Sequence, residues 1–99
     1  MKPDELKLIL ENHQLWLNDN SQGKRADLTS ADLRNANLIG ADLRDTYLSS
    51  ETKFSLDQLS FLSDCNYYEN NNWIKFKTSP KFKQLLIKQA IKEAIFRKL

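Results

Sequence analysis

The chain has 99 residues, 40% of them hydrophobic and 28% charged, a composition that favours one small folded domain. The formal net charge is +2; the single cysteine, Cys65, excludes an internal disulfide, and no stretch approaches the ~18 apolar residues of a membrane span. The basic and apolar regions of a signal peptide are not visible, so we expect a cytoplasmic protein.

The first predicted element is a helix over residues 3–17. Pro3 suits the first turn, and Asp4 and Glu5 complement the positive end of the helix dipole. The polar stretch that follows should end the helix, which we expect to cover the open end of the next element. His13 is the only histidine, and we expect it to be a buried or hydrogen-bonded structural residue. One face is apolar at helical spacing and consists of Leu6, Ile9, Leu10, His13, Trp16 and Leu17.

Residues 26–50 repeat with a period of five and read ADLTS ADLRN ANLIG ADLRD TYLSS. A period of five matches neither the 3.6-residue period of a helix nor the two-residue period of a strand. A coil that turns at every unit satisfies the pattern, because the leucines and the small residues two positions earlier then all point inward. The predicted core consists of Leu28, Leu33, Leu38, Leu43, Leu48, Ala26, Ala31, Ala36 and Ala41.

These units resemble the pentapeptide-repeat proteins, whose motif is roughly A(D/N)LXX. The resemblance implies a right-handed quadrilateral β-helix with four repeats per coil, hence about 1.5 coils here. The fifth unit departs from the motif at Thr46 and Tyr47, and Lys53 cannot fill the next inward position. Phe54 continues the repeat only if one residue is inserted, which the sequence leaves open. The expected fold class is mainly β with α-helical caps, a short β-helix between an N-terminal capping helix and a C-terminal helix.

Several short elements should follow the repeat. Ser55 and Gln58 have capping-box spacing, which predicts a short helix. The asparagine-rich stretch 66–72 predicts a loop, and residues 73–77 a short extended segment. The chain is therefore expected to form a single domain with four parts: a helical cap (1–23), a repeat coil (24–56), a mixed segment (57–78) and a basic C-terminal helix (79–99).

The last helix should begin at Ser79 and Pro80, which suit the N-cap and the first helical position. Residues 73–99 contain eight basic residues and one acidic residue, a balance of +7, whereas residues 51–72 balance at −3. A broad apolar face should pack on the body: Leu86, Ile87, Ala90, Ile91, Ala94 and Ile95. A second apolar group lies largely on the opposite side and indicates a further surface, which the protein's own body, a second copy or a partner could cover. We expect a homodimer interface there: Phe82, Leu85, Phe96 and Leu99.

No pattern typical of catalysis is present, so we expect a protein without enzymatic activity, metal or cofactor. Asp27, Asp32 and Asp42 recur because the repeat places them there, and they should point into solvent, where acid catalysis has no desolvated environment. Two glycines do not make a phosphate-binding loop, and the single cysteine and histidine do not show metal-ligand spacing.

Three functional hypotheses remain. The first is a protein-binding module, because a stiff repeat would present Arg34 and Arg44 outward with Ile39 between them. Size and the resemblance together suggest a phage-type inhibitor of a host nucleic-acid or defence machine, with anti-CRISPR-like and topoisomerase-directed action not distinguished. The second is binding of nucleic acid or another anionic surface by the C-terminal segment, and the third is self-association through the last helix. The basic and aromatic residues of that segment are Trp73, Lys75, Phe76, Lys77, Lys81, Lys83, Lys88 and Lys92.

Overall fold

The structure, a computed structural model, describes residues 1–98, so Leu99 of the predicted dimer interface lies outside the described residues. Within these residues, strands β1 (Tyr47–Leu48), β2 (Asn66–Glu69) and β3 (Asn72–Lys75) form a sheet in that order, with β1 parallel and β3 antiparallel to β2. The elements in chain order are α1 (Pro3–Asn18), β1 (Tyr47–Leu48), a 3-10 helix (Leu56–Leu62), β2 (Asn66–Glu69), β3 (Asn72–Lys75), a short 3-10 helix (Phe76–Thr78) and α2 (Pro80–Lys98).

Helix α1 forms where the sequence predicts it and is one residue longer at its C-terminal end. Pro3 occupies the first helical position, and the Glu5 carboxylate accepts the backbone N–H of Lys2 at 3.3 Å. The chain then turns back along the helix at Gly23, whose φ is +59° and where a Cβ would lie 2.2 Å from the carbonyl oxygen of Asn12. Glycine is therefore required at this close approach.

Residues 24–50 form a regular series of turns. In each of the first four units a backbone N–H donates to the leucine carbonyl three residues earlier, at 2.9–3.2 Å. Other hydrogen bonds join residues 20 positions apart: the N–H of Leu33 donates to the carbonyl of Lys53, and that of Asn66 to Thr46. Successive passes of the chain therefore lie side by side, while continuous strand pairing among the described residues is confined to β1, β2 and β3.

The leucines of the repeat form the centre of the hydrophobic core and are 0–3% exposed. Among the predicted inward alanines, Ala26 is buried, whereas Ala31, Ala36 and Ala41 are half-buried. Phe54 also packs against this core, and its ring meets that of Phe76 edge-on at 5.9 Å. The core continues into the C-terminal half through Leu59, Leu62, Cys65, Tyr67, Phe76, Phe82 and Leu85.

The stretch 66–72, predicted as a loop, instead contains β2 and the turn of a β-hairpin. Tyr67 pairs with Ile74, and Asn70 and Asn71 form a two-residue turn with φ of +52° and +61°. Asparagine tolerates this left-handed conformation, and two such residues in succession give the twist that joins antiparallel strands. The loop prediction was wrong because the asparagines support a tight turn.

Helix α2 packs on the body with the face opposite to the one predicted. Phe82 and Leu85 are buried, and the ring of Phe82 meets that of Phe76 edge-on at 5.1 Å. The Ser79 hydroxyl fixes this rotation, because it donates to the Phe76 carbonyl at 2.7 Å and accepts the Phe82 N–H at 3.1 Å. The predicted packing face is instead exposed. We call it the α2 stripe: Leu86, Ile87, Ala90, Ile91, Ala94 and Ile95.

Candidate binding surfaces

Two arginines project from the repeat in the same arrangement. In each of the first four units an Asp or Asn Oδ1 accepts the backbone N–H two residues later, at 3.0–3.2 Å. In two units that later residue is arginine, and its side chain also holds the carboxylate. In both Arg34–Asp32 and Arg44–Asp42, Nε donates to Oδ1 at 2.9 Å and Nη2 to Oδ2 at 2.7 Å. This bidentate pairing gives two exposed side chains a defined orientation.

The same ion pairs perturb the two carboxyl groups. Hydrogen bonds from the Arg34 guanidinium hold the pKa of Asp32 well below its usual range, and those from Arg44 lower the pKa of Asp42. Both carboxylates therefore remain charged near neutral pH, and both arginines keep their partners.

Ile39 lies in the unit between the two arginines and is 81% exposed. Its unit carries Asn37, whose side chain accepts the Ile39 N–H at 3.0 Å. Beside it, α1 and the repeat enclose an open groove of about 750 Å³. An exposed apolar side chain between two oriented cations and beside a groove is suited to contact with a protein. The groove is lined by apolar and charged residues that include Leu6, Lys7, Leu10, Glu11, Ala36 and Ala41.

The predicted basic and aromatic surface of the C-terminal segment is interrupted. Phe76 is fully buried, so its assignment to partner binding was wrong. The Lys75 ammonium pairs with Asp45 at 2.5 Å, and that of Lys77 with Asp64 at 3.0 Å. The residues of that surface that are exposed and take no part in these two ion pairs are Trp73, Lys81, Lys83, Lys88 and Lys92.

The residues of the predicted dimer interface differ in exposure: two are buried and one is exposed. Phe82 and Leu85 pack inside the chain's own core and are not available to a second copy. Phe96 is 67% exposed, although it also lines a shallow pocket with Leu56 and Lys92. The assignment of Phe82 and Leu85 to a dimer interface was wrong because both faces of this helix are apolar, and the residues before it determine which face is buried. A homodimer through the exposed Phe96 stays a prediction.

Trp73 ends a column of stacked side chains that the sequence did not indicate. The Arg25 guanidinium lies 4.9 Å from the centre of the Trp16 ring and 4.1 Å from that of Tyr47. The Tyr47 ring lies 4.6 Å from that of Trp73, and Arg25 Nε donates to the Asp45 carbonyl at 2.6 Å. This column links α1, the repeat and the hairpin, so much of its aromatic surface is used within the fold.

The Asp45–Lys75 pair should make stability depend on pH. The hydrogen bond from Lys75 lowers the pKa of Asp45 below its ordinary value of 3.8. A carboxyl group whose folded pKa is lowered stabilises the fold above its unfolded pKa and loses that effect as pH falls. We expect urea unfolding to show a stability gap of less than ~1 kcal/mol between wild type and Asp45→Asn at pH 7, and the gap should close below about pH 4. A gap that stays constant into acid would contradict this prediction.

The two side chains that could act as a base or a nucleophile, His13 and Cys65, are buried in the core. His13 is fully buried; its Nδ1 accepts the Ala26 N–H at 2.9 Å and its Nε2 lies 2.8 Å from the Arg44 carbonyl oxygen, which confirms the structural role predicted. Burial raises the pKa of the Cys65 thiol to about 12, so it remains protonated. Within residues 1–98 no cluster of three or more His, Cys, Asp or Glu side chains could hold a metal ion. Among the described helices, none is long and apolar enough to cross a membrane.

Two features of these surfaces were missed from the sequence. The repeat alone accounts for Asp32 and Asp42 in the sequence, although Asp-Leu-Arg in both units places a carboxylate two residues before an arginine. That spacing puts both side chains on one side of an extended segment and could have indicated the ion pairs. The groove beside α1 has no local signal, because its two walls lie ~20 or more residues apart in the chain.

Comparison with known proteins identifies the repeated segment. The family described as "Pentapeptide repeats (8 copies)" matches residues 24–50. No curated protein and no solved structure matches the chain.

Proposed function

Because residues 24–50 are pentapeptide repeats, we propose that the protein is a non-catalytic scaffold that binds another protein. The repeat supplies rigid, regularly spaced side chains, and function then depends on the sites placed on that frame.

We also propose that the repeat is a right-handed quadrilateral β-helix of about 1.5 coils. Hydrogen bonds between residues 20 positions apart support this geometry, because four units of five residues span that distance.

The observation that carries the binding proposal is the exposure of Ile39 between two oriented arginines. Ile39 is 81% exposed, and it borders the groove beside α1. Arg34 and Arg44 are held in place before any partner arrives, so their ordering adds little entropic cost on binding. We place the centre of the interface at Ile39, with the two arginines at its rim.

Replacement of Ile39 with aspartate tests this proposal. We expect partner affinity to fall by about 2 kcal/mol, roughly 30-fold, because a central apolar contact is replaced by a charge. Thermal unfolding should change little, since the side chain is exposed and the Ile39 N–H bond to Asn37 remains available. Leu8→Asp on α1 is the matched control, because Leu8 is apolar and 59% exposed.

The measurement is quantitative mass spectrometry of bacterial proteins retained by the immobilised protein. We expect one set of proteins to be retained by wild type and Leu8→Asp and lost from Ile39→Asp. Identical retention by all three, or no specific retention by wild type, would overturn the proposal.

The specific form of the proposal is a phage-type inhibitor of a host nucleic-acid or defence machine. The small size of the protein and a repeat that carries no catalytic groups support an inhibitor that acts by covering a binding site on the host machine. Plaque counts on cells with an active defence system and supercoiling by purified topoisomerase are the two assays. Inhibition in either should require Ile39.

Nucleic-acid binding is the alternative function. The exposed basic surface available for it is smaller than the sequence predicts. Lys81, Lys88 and Lys92 lie on one flank of α2 and are exposed. A gel shift that is present at low salt and lost at higher salt would favour this alternative.

A further inference from the structure

The α2 stripe is an apolar surface that faces away from the body. Successive positions in a helix are ~100° apart, so Ile87, Ile91 and Ala94 lie opposite the buried Phe82 and Leu85. The exposed fractions of Ile87, Ile91 and Ile95 are 61%, 55% and 57%. Single exposed apolar residues need no explanation, but a continuous stripe of six does.

Cationic residues border the stripe along one edge, where Lys88 and Lys92 lie, while Glu93 lies at the other edge. Lys83 and Arg97 lie beyond the two ends of the stripe on the same side of the helix. The sequence of α2 contains six basic residues and one carboxylate, Glu93, a balance of +5. An exposed apolar stripe with lysines along one edge and a strongly cationic helix around it can lie in a membrane interface, with the long lysine side chains reaching the headgroups.

We propose that the α2 stripe docks on the surface of an anionic phospholipid bilayer, with the helix parallel to the membrane plane. The apolar side chains would enter the boundary between headgroups and acyl chains, and the flanking cations would meet lipid phosphates and carboxylates. This surface is separate from Ile39 and its groove, so the inference goes beyond the binding function proposed above.

Charge and area favour a bilayer over a second copy of the chain. Two stripes packed face to face would bring together two helices that each balance at +5. The stripe spans residues 86–95, a length of ~14 Å, and offers less than the ~800 Å² per protomer that a stable dimer usually buries. Residues 51–72, which balance at −3, contact α2 within the same chain, since Asp57 lines a pocket with Lys92. Docking on a lipid surface does not require ~800 Å² of buried protein surface, and an anionic bilayer attracts the positive charge of α2.

Vesicle flotation tests the proposal with full-length protein. We expect binding to vesicles of phosphatidylcholine and phosphatidylserine, at least ~tenfold weaker binding to pure phosphatidylcholine, and release by high salt. Ile91→Asp should weaken binding at least ~tenfold, whereas the control Leu8→Asp should change it less than ~twofold. Both variants lose one exposed apolar side chain and gain one negative charge, so the comparison isolates the stripe. Lys88→Gln should weaken binding about fivefold.

A labelled variant provides a second measurement. Cys65 is buried and unreactive, so Ile91→Cys can be labelled alone with a polarity-sensitive fluorophore. We expect a blue shift when anionic vesicles are added and none with phosphatidylcholine alone. Far-ultraviolet circular dichroism of every variant establishes that the helices are retained.

Four results would overturn the proposal. The first is no binding to anionic vesicles at low salt, and the second is equal binding by wild type and Ile91→Asp. The third is light scattering that shows a wild-type dimer and an Ile91→Asp monomer without any vesicle binding, which would assign the stripe to a second copy. Binding to nucleic acid but not to vesicles at equal charge density would likewise exclude the lipid surface.

Discussion

His13→Ala should lower the free energy of unfolding by about 3–5 kcal/mol, enough to unfold much of a marginally stable domain. The imidazole links α1 to two successive passes of the repeat. Its Nδ1 accepts the Ala26 N–H at 2.9 Å, so Nε2 carries the hydrogen and donates to the Arg44 carbonyl at 2.8 Å. The alanine variant leaves both backbone groups without this partner in a buried site and also creates a cavity.

Urea unfolding followed by circular dichroism measures this effect. Gln14→Ala is the control, because Gln14 is the exposed neighbour on α1 and its side chain bonds only with Asn18 at 3.1 Å. We expect the control to change stability by less than ~0.5 kcal/mol. A loss below ~1 kcal/mol for His13→Ala would show that water replaces the ring and that α1 is held by its leucines alone.

The features predicted correctly from the sequence have local causes. The five-residue period of leucine sets the inward positions wherever the chain turns, so Leu28 to Leu48 can be assigned without knowledge of distant contacts. Helix α1 begins at Pro3 and Asp4 for reasons contained in its first turn. The role of His13 was also predictable, because no second histidine or cysteine stood at metal-ligand spacing.

The features predicted wrongly depend on contacts between distant segments. Both faces of α2 are apolar, and the choice between them follows from the Ser79 hydroxyl and from Phe76, which lies in the core before the helix begins. The sequence predicts Lys75 and Lys77 as partner-binding cations, because their ion-pair partners Asp45 and Asp64 stand 30 and 13 positions away in the chain. Periodicity reports which residues share a face and does not report what covers that face.

Phe76→Ala should be the other most damaging single change, with a loss of about 3–5 kcal/mol. Its ring is fully buried and lies 4.8 Å from that of Tyr67 and 5.1 Å from that of Phe82. The side chain therefore joins the hairpin to α2, and its removal should release α2 before the repeat unfolds. Hydrogen exchange followed by mass spectrometry should show faster exchange in α2, with slow exchange kept in residues 26–48.

Trp73→Ala is the control for Phe76→Ala, because it removes an aromatic side chain from the surface and leaves the contact between the hairpin and α2 in place. Trp73 is 42% exposed and contacts Tyr47 and Tyr68 at ring-centre distances of 4.6 Å and 5.0 Å. Its loss should cost about 1–2 kcal/mol, because roughly half of its surface is already in water. If the two variants lose equal stability, Phe76 is not the residue that anchors α2. The packed face of that helix would then depend on Leu85 and its neighbours, and the exposure of the α2 stripe would not be fixed by the aromatic core.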